Sequence, residues 1–374
     1  MKPVILAVTN DIVNDRRIFR IGTSLQQAGY PLLVVGRRQR LSLALSGFPF
    51  ASRRFRLIFK QGFLFYATFN IRLFIFLLFH RASLLVANDL DTLLPVYLIS
   101  QIKKIPLIYD THEFFTGVPE VENRPMVKKV WLGIEKRIFP KLDHVTTVNG
   151  SIARLYCNMY NVQVCVIRNL SLRHKAKPLP HEELQLPGGK KMIILQGTGI
   201  NLGRGAEEAV LAMEFCDDVI LFIVGDGNAL PKLRQQVADL NLDQKVRFIS
   251  TLPYSKMMRY TASSALGISL DKPDYLNFKL SLPNKLFDYI QAGIPVLVSN
   301  LPEVAGIVRE YKLGEVISSH KPREIADRIN AMVHDQEKQK IWRQNARKAA
   351  QKLCWEEEEK KLIAFYKQIC PLKK

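Results

Sequence analysis

Short runs of Val, Ile and Leu recur along the chain, each followed by a stretch with helical spacing. VILAVT at 4–9 opens the pattern, residues 15–27 read as helix, and Gly29 stops it. LLVVG, SLLVA, PLIYD, HVTTV and QVCVI continue the alternation. Strands that are apolar at every position are buried on both faces, and strand–helix alternation predicts parallel sheets with right-handed crossovers. The rhythm breaks at 172–189, which holds three Pro and two Gly, and restarts with KMIILQG, DVILFIVG, VRFIS, SALGISL and PVLVS. The expectation is an α/β protein of two doubly wound domains. The first covers 1–170, a linker covers 171–189 and the second domain covers 190–350. A closing helix takes 351–374.

Composition adds little to this, but charge adds much. The 374 residues carry 54 Lys plus Arg against 34 Asp plus Glu, a net +20. From Arg16 to Asn88 there is no acidic residue and there are 12 basic ones. Ten of the 20 Phe lie between Phe48 and Phe79. FRLIFKQGFLFYATFNIRLFIFLLFHR, at 55–81, reads as one helix. Between Lys60 and His80 its apolar run is interrupted by Gln61, Asn70 and Arg72, which argues against a membrane span. Basic ends with interleaved Phe and Leu suit an interfacial helix docked on an anionic membrane through 37–81. A helix buried in an α/β domain is the alternative. No zinc-finger or RRM-type pattern accompanies the charge, so nucleic acid is not the expected partner. The five cysteines show no CxxC spacing and read as reduced packing residues of a cytoplasmic protein. MKPVILAVTN does not read as a signal peptide.

Ligands of open parallel sheets bind at strand exits. In the second half, QGTGINLGRG follows the first strand. Gly197 and Gly199 let the backbone approach a ligand around Thr198, and Arg204 sits where a helix begins. VGDGNAL places Asp226 between Gly225 and Gly227. In SLPNKLFDYIQAG, Pro283 suits a first helical turn, Asn284 and Lys285 offer free N–H groups and a cation, and Asp288 can accept from a ribose hydroxyl. Together these imply a nucleotide diphosphate; a capped helix with a solvated Lys and Asp is the plainer reading. In the first half, Asn10, Asp15 and Arg16 follow the first strand and Asn88 and Asp89 follow another. Asp89 reads either as a site residue or as a helix cap. His112 follows the PLIYD strand.

The order and spacing of QGTGINLGRGAEEAV, LFIVGDGNALPKL, VRFISTLPYSKMMRYTASSALGISL and PNKLFDYIQAGIPVLVSN resemble the donor domain of retaining glycosyltransferases. TNDIVNDRRIFRIGTSLQQAGY, LVANDLDTLLP, LIYDTHEFF, VTTVNGSIARLY and CVIRN resemble the acceptor domain of the same group, glycosyltransferase family 4 (group 1). The resemblance spans nearly the whole chain. It implies the GT-B fold, two Rossmann-like domains facing a central cleft, with the WEEEEKKLIAFY helix crossing back to the N-terminal domain. It implies Arg204 and Lys285 as cations on the donor diphosphate, although the family's first cation falls on Thr198. The family's first acid falls on Leu280 and its second on Asp288. Leu252 falls in the loop that reads the nucleobase, and His112 matches a histidine near the sugar.

The implied activity is transfer of a sugar from a UDP- or GDP-sugar to a saccharide or lipid-linked acceptor, in bacterial surface polysaccharide synthesis such as lipopolysaccharide. The expected catalytic residues are Arg204, Lys285 and His112. Gly197, Thr198, Gly199, Asp226, Leu252, Pro283, Asn284 and Asp288 are expected at the donor. Asn10, Asp15, Arg16, Asn88 and Asp89 are expected at the acceptor. No metal or other cofactor is expected, because protein cations and a helix N-terminus serve the leaving diphosphate. The expected location is the cytoplasmic face of the inner membrane. A nucleotide-sugar 2-epimerase on the same fold and a membrane-binding paralogue with a degraded donor site are the alternatives, kept open by Thr198 and Leu280.

Overall fold

The computed structural model of the chain describes residues 2–40, 42–45 and 47–372. Leu41 and Ser46, inside the basic 37–81 segment, lie outside the described residues. The chain divides into two units. The first comprises Met1–Asn169 with Glu358–Lys374, and the second is Leu170–Glu357.

The first unit is built on seven parallel strands: β1 (Val4–Asp11), β2 (Leu32–Arg38), β3 (Ala51–Arg56), β4 (Leu84–Asn88), β5 (Leu107–Thr111), β6 (Val145–Thr147) and β7 (Val164–Val166). Their order is β3-β2-β1-β4-β5-β6-β7, so the winding reverses between β1 and β4. There Val4 pairs with Leu84 and Ala7 with Ala87. Helices cover both faces, which is why β1 and β4 carry almost no polar residue before their exits.

The second unit repeats the plan with β8 (Lys191–Gly197), β9 (Val219–Gly225), β10 (Val246–Ile249), β11 (Leu266–Ser269), β12 (Val296–Ser299) and β13 (Gly314–Ile317). The order is β10-β9-β8-β11-β12-β13, with the reversal between β8 and β11. Alternate residues of one strand enter two separate cores. Ile193, Leu195, Leu221 and Ile223 pack on one face, Met192, Ile194, Ile220 and Phe222 on the other. Residues 170–189 are part of this unit: Leu170, Leu179 and Leu184 are buried in the second of those cores. The closing helix, Trp355–Ile369, enters the first unit at Glu358. Ser24 Oγ donates to Glu359 Oε2 at 2.7 Å and Tyr30 OH to the Cys370 carbonyl at 3.0 Å.

The sequence expectation needs one correction in the Phe-rich region. The single helix expected at 55–81 is a strand followed by a helix. Residues 51–56 pair in register with β2, Val35 opposite Arg53 and Arg37 opposite Phe55. The helix runs over Gly62–Phe79, its first residue Gly62 at φ 73°. The short, Arg-rich ASRRFR run was masked by the aromatic run behind it. The arginines fit an edge strand, where exposed charge discourages further pairing.

Candidate functional site

The exits of β8, β9 and β11 meet at the reversal point of the second sheet. The two glycine loops there are built against each other. The Asp226 N–H donates to the Gly197 carbonyl and the Ile200 N–H to the Asp226 carbonyl, both at 3.0 Å. A β-carbon on Gly225 would lie 1.8 Å from the Gly197 carbonyl oxygen, and one on Gly227 2.1 Å from that of Ile200. Those glycines, and Gly205 against Leu270, serve loop packing. Gly199 differs: a β-carbon there meets nothing closer than 4.0 Å. Thr198, Gly199 and Asp226 are exposed, and the Asp226 carboxylate accepts from its own turn at the Gly227 N–H.

Arg204 lies two residues before the Ala206–Ala212 helix. Its guanidinium stacks 4.3 Å from the Phe278 ring centroid and meets Asp271 Oδ1 at 3.3 Å. Asp271, just past β11, is buried and also accepts from Ser269 Oγ at 3.3 Å. Pro283 is the N-terminal flank of the Asn284–Ala292 helix rather than a residue of its first turn, which leaves Asn284 and Lys285 as the first helical residues. Lys285 is half-buried and makes no hydrogen bond or ion pair among the described residues. Burial pushes its ammonium below the usual lysine range; Asp271 opposes that shift and Arg204 adds to it. Arg204 is thus paired with Asp271, while Lys285, near enough to feel both charges, has no ion partner of its own among the described residues beside a helix N-terminus, an arrangement one negative charge short of balance.

Asp288, one turn on, is buried and occupied by protein donors. Ser171 Oγ lies 2.6 Å and Tyr254 OH 2.8 Å from Oδ1, and Gln196 Nε2 lies 3.3 Å from Oδ2. A carboxylate has about four acceptor positions, so a ribose hydroxyl would share it. Leu252 is half-buried against the same apolar core as Phe287. Leu280 closes the short Leu276–Lys279 helix.

The first unit gathers its own polar cluster at the β1, β4 and β5 exits. Asn10 Nδ2 meets Asp15 Oδ2 at 3.3 Å, and Asp15 Oδ1 caps the Arg16–Gln27 helix at the Ile18 N–H. Arg16 is exposed. Asn88 is buried with its amide on the Ala7 carbonyl at 3.0 Å, clamping β4 to β1. Asp89 sits at φ 59° and ψ 169°, a region that glycine alone adopts without strain. It stands at the start of the Leu90–Lys103 helix but makes no side-chain cap, so the capping alternative is not realised. Its carboxylate turns to His112, accepting from the backbone N–H at 3.2 Å and facing Nδ1 at 3.0 Å. Burial would lower the histidine pKa; the charge and hydrogen bond of Asp89 overcome this and raise it to about 10. His112 is therefore an imidazolium at neutral pH, a donor and cation rather than a base.

Asp89 and Asp91, spaced like a metal-binding DxD, diverge. Asp91 is buried on Thr9 Oγ1 at 2.5 Å, and burial followed by the charge of Asp89 raises it to about 7. Among the described residues no three His, Cys, Asp or Glu side chains are grouped to hold a metal ion. Sequence reasoning did not single out Asp271, Asp91 as a buried acid, or the buried Arg17–Asp110 pair at 2.5 Å. Each lies within two residues of a residue that was singled out or just past a strand, so a stricter reading of strand exits finds them.

Two family models match the chain: glycosyltransferase family 4 over residues 15–170, and glycosyl transferases group 1 over 181–349. The chain is a glycosyltransferase of this family. Among curated proteins, none matches it in sequence. Solved structures match over nearly the full length and show the shared GT-B fold. Sucrose-phosphate synthase from Thermosynechococcus elongatus aligns with TM-score 0.83 at 16% identity, over 99% of each chain. HepE from Anabaena, in complex with UDP and glucose, aligns with TM-score 0.76 at 16% identity, over 97% of this chain and 99% of that one. WaaG, a glycosyltransferase involved in lipopolysaccharide biosynthesis, aligns with TM-score 0.69 at 14% identity, over 96% and 98%. The glycosyltransferase therefore presents its unbalanced cation pair at the reversal point where Rossmann-like sheets receive ligands.

Proposed function

We propose that this glycosyltransferase moves a sugar from a nucleoside diphosphate sugar to a hydroxyl of a saccharide or lipid-linked acceptor, with retention of anomeric configuration. The observation that carries the reading is the Arg204–Lys285–Asp271 group beside the Asn284 helix N-terminus. The bond from the anomeric carbon to the diphosphate breaks as a bond to the acceptor oxygen forms. Negative charge develops on the leaving phosphate, where Arg204, Lys285 and the helix N–H groups offset it. The acceptor proton goes to the departing phosphate oxygen. The HepE complexes with UDP and UDP-glucose support a uridine nucleotide as the first donor to try. Bacterial surface polysaccharide synthesis at the cytoplasmic membrane face, without a metal, completes the proposal.

A thermal-shift series with UDP, GDP and their sugar conjugates in EDTA tests it. A ligand that binds only the folded state raises the melting temperature, by about 2.7 kcal/mol of stability at a hundredfold excess over Kd. A shift with one nucleotide, kept in EDTA and abolished in Arg204→Ala and Lys285→Ala, is expected. No shift with any nucleotide would leave the degraded-site reading. A shift that EDTA removes would overturn metal independence.

A further inference from the structure

The Gly62–Phe79 helix is long and apolar enough to cross a membrane, with mean hydropathy 1.8, yet only 22% of it is buried. It cannot leave the protein to span a bilayer. It is the crossover between β3 and β4, and Phe65, Phe69, Leu73 and Leu77 fix one side of it in the core at 0–4% exposure. Its other side is bare: Phe63 is 75% exposed, Ile71 60% and Phe79 78%. The bare surface does not stop there. The helix packs on Leu90–Lys103, which packs on Pro125–Ile138, so the three lie on one face of the sheet. Leu98 and Ile102, one turn apart, are exposed on the second helix, and Met126 at 77% on the third. Charge on these helices is one-sided. The acids among them are Asp91 and Glu135, both buried. The bases are Arg72, Lys103, Lys128, Lys129, Lys136 and Arg137, and Arg72 holds its guanidinium on the Arg56 carbonyl at the outer rim.

We infer that this three-helix face is the surface on which the protein lies against an anionic phospholipid bilayer, its apolar side chains in the headgroup–acyl boundary and its cations on lipid phosphates. Exposed apolar stripes ringed by cations, with no exposed acid on the three helices themselves and Glu122 just ahead of the third pairing only Lys128, match that interface and disfavour a second copy of themselves. Crossover helices run antiparallel to their strands, so the first turns of the 62–79 and 90–103 helices stand level with the exits bearing Asp89 and His112. Docking through this face therefore holds the acceptor end of the first unit at the membrane. That deepens the sugar-transfer proposal, on which it rests, by making the acceptor a lipid-anchored saccharide.

Co-sedimentation of the full chain with phosphatidylcholine vesicles, with and without about one-third phosphatidylglycerol, tests the inference. Variants Ile75→Glu/Phe79→Glu and Ile102→Glu change exposed residues on two different helices and should melt as the wild type does. Wild type is expected to bind the anionic vesicles at least about tenfold more tightly than the neutral ones, and each variant to lose about tenfold. The nucleotide-induced thermal shift should be unchanged in both, which separates this failure from a failure of the sugar-transfer reading. Equal binding to both vesicle types, or wild-type binding by Ile102→Glu, overturns the three-helix face. A dimer in sedimentation analysis that both variants convert to monomers assigns the face to a second copy and also overturns it.

Discussion

A side chain's role here is set less by its type than by what its neighbours leave unbalanced. Lys285 and Asp288 sit on one helix, three residues apart, and both read from the sequence as ligand groups. The structure separates them. Asp288 is met by Ser171, Tyr254 and Gln196, whereas Lys285 lies near the charges of Asp271 and Arg204 with no hydrogen bond among the described residues. The sequence singles out His112 by its place after a strand, but not its charge, because Asp89 lies 23 positions away. That charge makes a prediction. A histidine pKa raised from 6.5 to about 10 adds stability that is complete below about pH 6.5 and lost as pH climbs toward 10. The stability difference between wild type and His112→Asn, from urea melts, should be largest near pH 6 and shrink steadily to pH 10. A difference that does not vary over that range would mean that the imidazolium–Asp89 pair is not formed.

At the scale of elements, strands buried on both faces were the most legible feature, since their runs are mostly Val, Ile and Leu. The edge strand β3 was the least legible. Its Ser and Arg carry no apolar alternation, and the Phe-rich run that follows drowned its signal. Glycine-rich exits were legible as loops, yet their purpose needed coordinates. The sequence offers the same residue for packing and for ligand approach; the space around each α-carbon separates the two. Gly225→Ala drives a methyl into the Gly197 carbonyl at φ 136° and should cost on the order of 2 kcal/mol or more, read by chemical denaturation. Gly199→Ala meets open space and should stay within about 0.5 kcal/mol of wild type. If Gly199 serves ligand approach, that same variant loses the nucleotide-induced thermal shift while remaining stable. A variant that is stable and binds normally would return Gly199 to an ordinary turn.

For the whole molecule, the +20 net charge is unevenly distributed. The first unit holds 28 basic and 12 acidic residues, a net +16, which leaves +4 for the second. Both units are built on the same strand order, so architecture does not demand the difference; on the functional proposal, what each unit meets does. On that proposal the second unit needs a few cations at one strand exit, half-buried and close to their ligand. The first spreads its excess over exposed rims, where each charge contributes little until it faces an extended anion. These two kinds of electrostatics respond differently to salt. The Debye length falls from about 10 Å at 0.1 M to about 4–5 Å near 0.5 M, so a diffuse exposed field is screened while a partly desolvated contact is screened much less. Raising salt from about 0.05 M to 0.5 M should therefore weaken binding to anionic vesicles by about tenfold or more, and leave the nucleotide-induced thermal shift largely intact. Paired titrations on one protein preparation read both quantities. Loss of both in parallel would mean that nucleotide binding also depends on the exposed field, and that the Arg204–Lys285 pair does not hold the diphosphate at close range.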